Sequence, residues 1–163
     1  MVKLGIAGMG YIGRVHYEAS RKISNGRVVA VATSRPGEAR AFLPPEVCIF
    51  EDYERLLQDS GVDAVIIAAP TSLHERYTTQ AAECGKHILC EKPLALNEAA
   101  ARRILAAAER AGITLMAAQV LRFWPQYARI KQLVAEGAIG AIRAVDAWRL
   151  ASYPPWGGWF RDP

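Results

Sequence analysis

Lys3-Leu4-Gly5-Ile6-Ala7-Gly8-Met9-Gly10-Tyr11-Ile12-Gly13 decides the fold, because a short apolar run passes straight into Gly-x-Gly-x-x-Gly and then into a helical pattern from about Tyr11. In such a turn the first glycine permits the tight reversal and the second lets a pyrophosphate approach the backbone. The third lets helix and strand pack closely. The start of the following helix adds N–H groups without intrahelical partners and a positive potential. A second apolar run ending near Thr33 completes the strand–helix–strand unit. Together these features predict a dinucleotide site of the NAD(P) type on Gly8, Met9, Gly10, Tyr11, Ile12 and Gly13.

Outward from this unit the same rhythm repeats. Lys3 to Ala7, Val28 to Ala32, Val47 to Phe50, Ala64 to Ala68, His87 to Cys90 and Thr114 to Ala117 read as strands. They are apolar without polar alternation, as strands of a parallel sheet buried on both faces are. Helical patterns lie between them, which predicts an α/β fold of the Rossmann type, a doubly wound parallel sheet. One helix is expected to open with a capping box, Ser72 with Glu75, to stop at Gly85, and to turn Leu73, Tyr77, Ala81 and Cys84 to the sheet. Another runs from about Glu98 to Arg110 with Asn97 as N-cap and Gly112 as stop, with Ala101, Ile104, Leu105 and Ala108 on one side.

After Ala118 the rhythm changes. Trp124-Pro125 opens a helix to about Glu136, Gly137 and Gly140 bracket a turn, and Ile142 to Leu150 reads as a longer strand before the aromatic stretch Tyr153 to Phe160. A final strand with no partner cannot bury itself alone. The expected organisation is therefore a dinucleotide-binding domain over 1–118 and the beginning of an incomplete second α/β domain over 119–163.

Composition narrows the function classes. With 163 residues, 52% of them hydrophobic and 22% charged, the chain has material for one real core and little more. The longest apolar runs are too short to cross a bilayer and Met1 to Gly10 lacks the pattern of a signal peptide, so a cytoplasmic protein without a membrane partner is expected. The net charge of +4 is spread without a basic run, which points away from nucleic acid. Cys48, Cys84 and Cys90 lack a CxxC spacing and are expected to pack as small core residues. No metal is expected.

Ligands of open parallel sheets bind outside the carboxyl ends of the strands. Three segments lie there besides the glycine turn: Pro70-Thr71-Ser72-Leu73-His74, Glu91-Lys92-Pro93, and Gln119 to Phe123. Of these, Pro70, Thr71, Leu73, His74, Glu91, Lys92 and Gln119 are the candidates for cofactor contact. Lys92, between a carboxylate and a proline at a strand end, is the candidate to exchange a proton with a substrate hydroxyl or carbonyl while a nicotinamide exchanges hydride. The end of the second strand reads the adenosine ribose, where an acid would favour NAD. Here stand Thr33-Ser34-Arg35, with no acid until Glu38. A hydroxyl and a guanidinium suit a 2′-phosphate, so NADP(H) is the preferred cofactor and NAD(H) the possible one.

These residues resemble the Gfo/Idh/MocA group, the glucose-fructose oxidoreductase and inositol dehydrogenase family of NAD(P)-dependent oxidoreductases. The likeness rests on Gly-Ile-Ala-Gly-Met-Gly-Tyr-Ile-Gly at 5 to 13, Ala-Pro-Thr-Ser-Leu-His at 69 to 74, and Gly-Lys-His-Ile-Leu-Cys-Glu-Lys-Pro-Leu-Ala at 85 to 95. It continues through Arg122-Phe123-Trp124-Pro125 and Gly137-Ala138-Ile139-Gly140. The resemblance implies a Rossmann domain followed by an α/β substrate domain, hydride transfer at a sugar, polyol or cyclitol hydroxyl, and a homo-oligomer. It also implies that Lys92 is the acid/base residue and that the Lys92-Pro93 bond is a candidate for the cis form. The family's catalytic aspartate and histidine belong to a segment that has no counterpart here, since Asp146, Asp162, His74 and His87 do not fit that motif. A dehydrogenase is the first reading, and a dinucleotide-binding module without turnover is the alternative.

Overall fold

The computed structural model describes residues 1–58, 61–148 and 150. It divides into two compact units, Met1–Ala118 and a second that begins at Gln119. The first holds six strands: β1 Val2–Ala7, β2 Gly26–Ala32, β3 Cys48–Phe50, β4 Ala64–Ile67, β5 His87–Cys90 and β6 Leu115–Ala117. All pair in parallel, in the order β3-β2-β1-β4-β5-β6. The chain leaves β1 on one side for β2 and β3 and returns on the other for β4 to β6. The reversal point, where such sheets open a crevice, therefore lies between the ends of β1 and β4.

Five helices cover the two faces: α1 Tyr11–Ser20, α2 Pro36–Phe42, α3 Tyr53–Gln58, α4 His74–Glu83 and α5 Glu98–Ala111. Successive strand residues point to opposite faces, and the core divides accordingly. Ile6, Val28, Val31 and Ile66 pack with Tyr17 of α1 and with Ala39 of α2. Ala7, Ala30, Ala32, Val65, Ile67 and Ile88 pack with Leu56 of α3, Ala81 of α4 and Ala107 of α5. A sheet buried on both faces needs apolar side chains at every position, which accounts for runs such as Ala64-Val65-Ile66-Ile67.

Local signals were met unevenly. Asn97 caps α5 as expected, its Oδ1 accepting from Ala100 N at 2.9 Å, and Gly112 ends it with φ 64. The buried side of α5 is Ala100, Ile104, Ala107 and Ala108, whereas Leu105 stands exposed. The capping box at Ser72 does not form. Thr71–Leu73 make a 3-10 turn and α4 starts directly after it at His74, with no side-chain cap. Glu75 is drawn instead to Arg103 of α5, bonded to Nε and, at 3.1 Å, to Nη2. That pairing holds the Glu75 carboxyl below its ordinary value, chiefly through the hydrogen bond from Arg103. The later start places His74, Thr78, Ala81 and Ala82 inside, leaving Cys84 exposed. Cys48 is exposed too, so only Cys90 is the small core residue expected of all three cysteines.

The second unit, taken alone, contains a 3-10 turn at Val120–Phe123 and helix α6, Pro125–Ala135. Gly137 and Gly140 adopt positive φ of 70 and 68, as a turn requires. No strand forms among the described residues of 142–150, where one was expected, because a strand needs a partner for its backbone groups. The aromatic stretch Tyr153 to Phe160 lies outside the described residues. Among the described residues, no helix is long and apolar enough to cross a membrane.

Candidate functional site at the carboxyl edge of the sheet

Hydrogen bonds beyond the strands line up the loops of this edge. Gly8 N donates to Ala32 O at 2.8 Å, Ala68 N to Ala7 O at 2.8 Å, and Glu91 N to Ile67 O at 2.9 Å. The glycine turn, the segment after β4 and the segment after β5 thus follow one another along the sheet. With strands about 4.8 Å apart, the β5 loop stands roughly 10 Å from the line of β1.

The glycine turn divides its labour among three positions. Gly8 has φ +98, and a Cβ there would stand 2.6 Å from Ala68 O, so the turn lies directly against the end of β4. A Cβ on Gly13 would come within 1.9 Å of Gly8 O, which is the close approach of helix to turn. At Gly10, by contrast, an added Cβ would meet nothing within 4 Å. Gly10 is also the N-cap of α1, with no side chain capping the helix and no acid in its first turn. Open space in front of an uncapped helix start, lined by glycine, fits a pyrophosphate. Met9 departs from expectation, since its side chain is core, 4% exposed, which leaves only its backbone to the turn. Tyr11 is exposed and Ile12 half-buried.

At the end of β2, Thr33 is buried and its Oγ1 accepts from Arg35 N at 3.2 Å. It shapes the bend that exposes Ser34 and Arg35, and does not itself project as a ligand. Pro36 starts α2 at the first helical position, where its missing N–H costs nothing. Arg35 Nη1 lies 3.2 Å from Glu38 Oε2, and Arg14 Nη2 of α1 lies 3.6 Å from the same oxygen.

Past β4, Pro70 is exposed and Thr71 and Leu73 are half-buried. His74 differs from its expected role. Its ring is 1% exposed, with Nδ1 2.9 Å from Pro93 O and Nε2 2.9 Å from Ala69 O. The imidazole fastens the loop after β4 to the loop after β5 and is withdrawn from the crevice. Gln119 opens the second unit and accepts at its carbonyl from Arg122 N, 3.0 Å away.

The loop after β5 carries Glu91 and the exposed Lys92, whose bond to Pro93 is cis. Glu91 Oε1 accepts from His16 Nε2 of α1 at 2.9 Å, and Oε2 accepts from Lys92 N at 3.0 Å. Burial alone would raise the Glu91 carboxyl. The hydrogen bonds from His16 and from the Lys92 amide, with the nearby charges, outweigh it and leave the group below its ordinary value. One carboxylate thus ties the cofactor helix to the lysine-bearing loop. His16, which was not picked out in the sequence, had one signal: it lies three residues after Gly13, on the side of α1 that the glycine turns toward the sheet edge.

Comparison with known proteins agrees with this geometry. A family profile described as an oxidoreductase family with an NAD-binding Rossmann fold matches residues 2–119. Among curated proteins, inositol 2-dehydrogenase 1 of Saccharopolyspora erythraea is 38% identical over 144 residues, covering 85% of this chain and 43% of its own length. The inositol 2-dehydrogenase of Rhizobium meliloti is 32% identical over 168 residues, covering 99% of this chain and 51% of its own length. The structure of apo scyllo-inositol dehydrogenase from Lactobacillus casei superposes with a TM-score of 0.80 at 29% identity, over 86% of this chain and 43% of that one. The chain therefore spans about half the length of the curated relatives it matches.

Proposed function

The chain belongs to the Gfo/Idh/MocA family of oxidoreductases, and from that membership we propose that it is the NADP(H)-preferring cofactor domain of a dehydrogenase acting on a sugar or polyol hydroxyl. The observation that carries the proposal is the uncapped, glycine-lined start of α1 on the same sheet edge as Lys92. Gly8, Gly10 and Gly13, with the backbone of Met9, Tyr11 and Ile12, hold the pyrophosphate. Ser34 and Arg35 receive the 2′-phosphate. Pro70, Thr71 and Leu73 line the way from the turn toward the loop after β5. Bound there, the nicotinamide supplies the hydride chemistry.

Lys92 supplies the proton chemistry. Its Nζ takes a proton from the substrate hydroxyl as the alcohol is oxidised, or returns one to the carbonyl in the opposite direction. Glu91, held by His16 and by the Lys92 amide, fixes the backbone from which that side chain extends. Inositol-like polyols are the substrate class that the named relatives support. Lys92→Ala in the complete gene product tests the assignment. Turnover on a polyol should fall while cofactor binding persists, and unchanged turnover dismisses Lys92 from the role. Cofactor binding by the unaltered protein, without turnover on any polyol, would instead mark a dinucleotide-binding module.

A further inference from the structure

We infer that Arg14 and Glu38 set the choice between the two nicotinamide cofactors together with Arg35, as a pair of guanidinium groups sharing one carboxylate that an incoming 2′-phosphate replaces. The inference rests on the reading of the β2 end as the 2′-phosphate subsite, and it adds two residues to that subsite. Arg14 comes from α1, one residue beyond the glycine turn, and Arg35 from the end of β2. Both reach Glu38, whose Oε2 lies 3.2 Å from Arg35 Nη1 and 3.6 Å from Arg14 Nη2. Two cations around one carboxylate leave a positive surplus, and a dianion matches that surplus better than the carboxylate does.

Arg14 is also held in place. Its guanidinium carbon lies 5.2 Å from the centre of the Phe42 ring, and Phe42 packs edge-on against the buried Tyr17 at 5.5 Å. Stacking on an aromatic ring removes rotamer freedom in advance, so less remains to be lost when a phosphate binds. Glu38 plays the opposing part. It is exposed, and as an acid close to the ribose position it repels a phosphate until it swings away. Its attraction to the two arginines is of the weak, salt-screened kind, which lets a bound phosphate displace it.

Titration of the full chain with NADPH and NADH, for the unaltered protein and for Arg14→Gln, Arg14→Lys and Glu38→Gln, tests this. Arg14→Gln should weaken NADPH about tenfold, as loss of a charge-assisted contact does, and leave NADH within about twofold. Arg14→Lys, which keeps the charge, should recover part of that loss. Glu38→Gln should tighten NADPH by about two- to fivefold, the worth of exposed ion pairs, with the gain shrinking as salt is raised. Melting temperatures without cofactor guard against a folding defect. Equal changes for both cofactors, or none, overturn the inference. So does a Glu38→Gln protein that loses NADH affinity, because the carboxylate would then be holding the ribose hydroxyls. An unaltered protein that prefers NADH contradicts only the preference reading; the inference is judged by how the variants move the ratio.

Discussion

Replacing Gly10 and Gly13 one at a time by alanine separates the binding role of the glycine turn from its folding role. At Gly10 the backbone is extended, with φ −71 and ψ −164, and the new methyl meets no atom within 4 Å. Apo stability should therefore change by no more than about 0.5 kcal/mol. The methyl enters the space in front of α1, where a pyrophosphate bound as proposed would accept from backbone N–H groups. Losing one or two charge-assisted bonds there costs about 1.5–3 kcal/mol, or roughly a 10- to 150-fold rise in Kd. At a cofactor concentration of about 100 times the original Kd, the unaltered protein gains about 2.7 kcal/mol. A variant weakened about a hundredfold gains only about 0.4 kcal/mol at the same concentration. In a thermal melt this is the difference between a cofactor-induced rise of roughly 5–11 °C and one of about 1–2 °C. Gly13→Ala should behave in the opposite sense. Its methyl would stand 1.9 Å from Gly8 O, so backbone must move, and apo stability should fall by about 1–3 kcal/mol. A Gly10→Ala protein with undiminished protection by cofactor, or a Gly13→Ala protein as stable as the original, would refute the reasoning.

Other features of the fold give further expectations. Glu91 has a lowered carboxyl value in the folded state, so the unfolded chain binds more protons between the two values and stability rises with pH there. The contribution of Glu91 is complete above its ordinary value of about 4.3 and is lost as pH falls through the lower folded value. Melting curves from about pH 2.5 to 6 should thus show a shallower acid limb for Glu91→Gln than for the original protein, and identical limbs would contradict the bridge. Asn97→Ala removes the side-chain cap of α5 and should cost about 1 kcal/mol by urea denaturation. Burial pushes the Cys90 thiol up to about 11, whereas Cys48 and Cys84 are exposed. A thiol reagent at about pH 8 should accordingly label Cys48 and Cys84 quickly and Cys90 only after unfolding.

Much of this architecture is legible in the chain because it is local. The strands of a parallel sheet covered on both faces are continuous apolar runs, so Ala64 to Ile67 and His87 to Cys90 can be read without tertiary information. The turn at Gly8 to Gly13 and the caps at Asn97 and Gly112 are local as well. What escaped depends on partners distant in sequence. Ser72 and Glu75 have capping-box spacing, but Arg103, 28 residues beyond Glu75, competes for the carboxylate. His74 has the position of a crevice residue, yet the carbonyls of Ala69 and Pro93 draw its ring inward. The bridge from His16 to Glu91 spans 75 residues, and only the pairing of β5 with β4, next to β1, brings its ends together. Arg14 likewise becomes a neighbour of Glu38, which pairs locally with Arg35, only once α1 and α2 lie on the same face.

Titration of the unaltered chain with NADPH and with NADH at one salt concentration, followed by nicotinamide fluorescence, tests the central claim most directly. Saturable binding of both, with NADPH tighter by about tenfold, is the result expected if Ser34 and Arg35 meet the 2′-phosphate. Equal or tighter binding of NADH would contradict the preference, and no binding of either would contradict the assignment of the Gly8 to Gly13 turn itself.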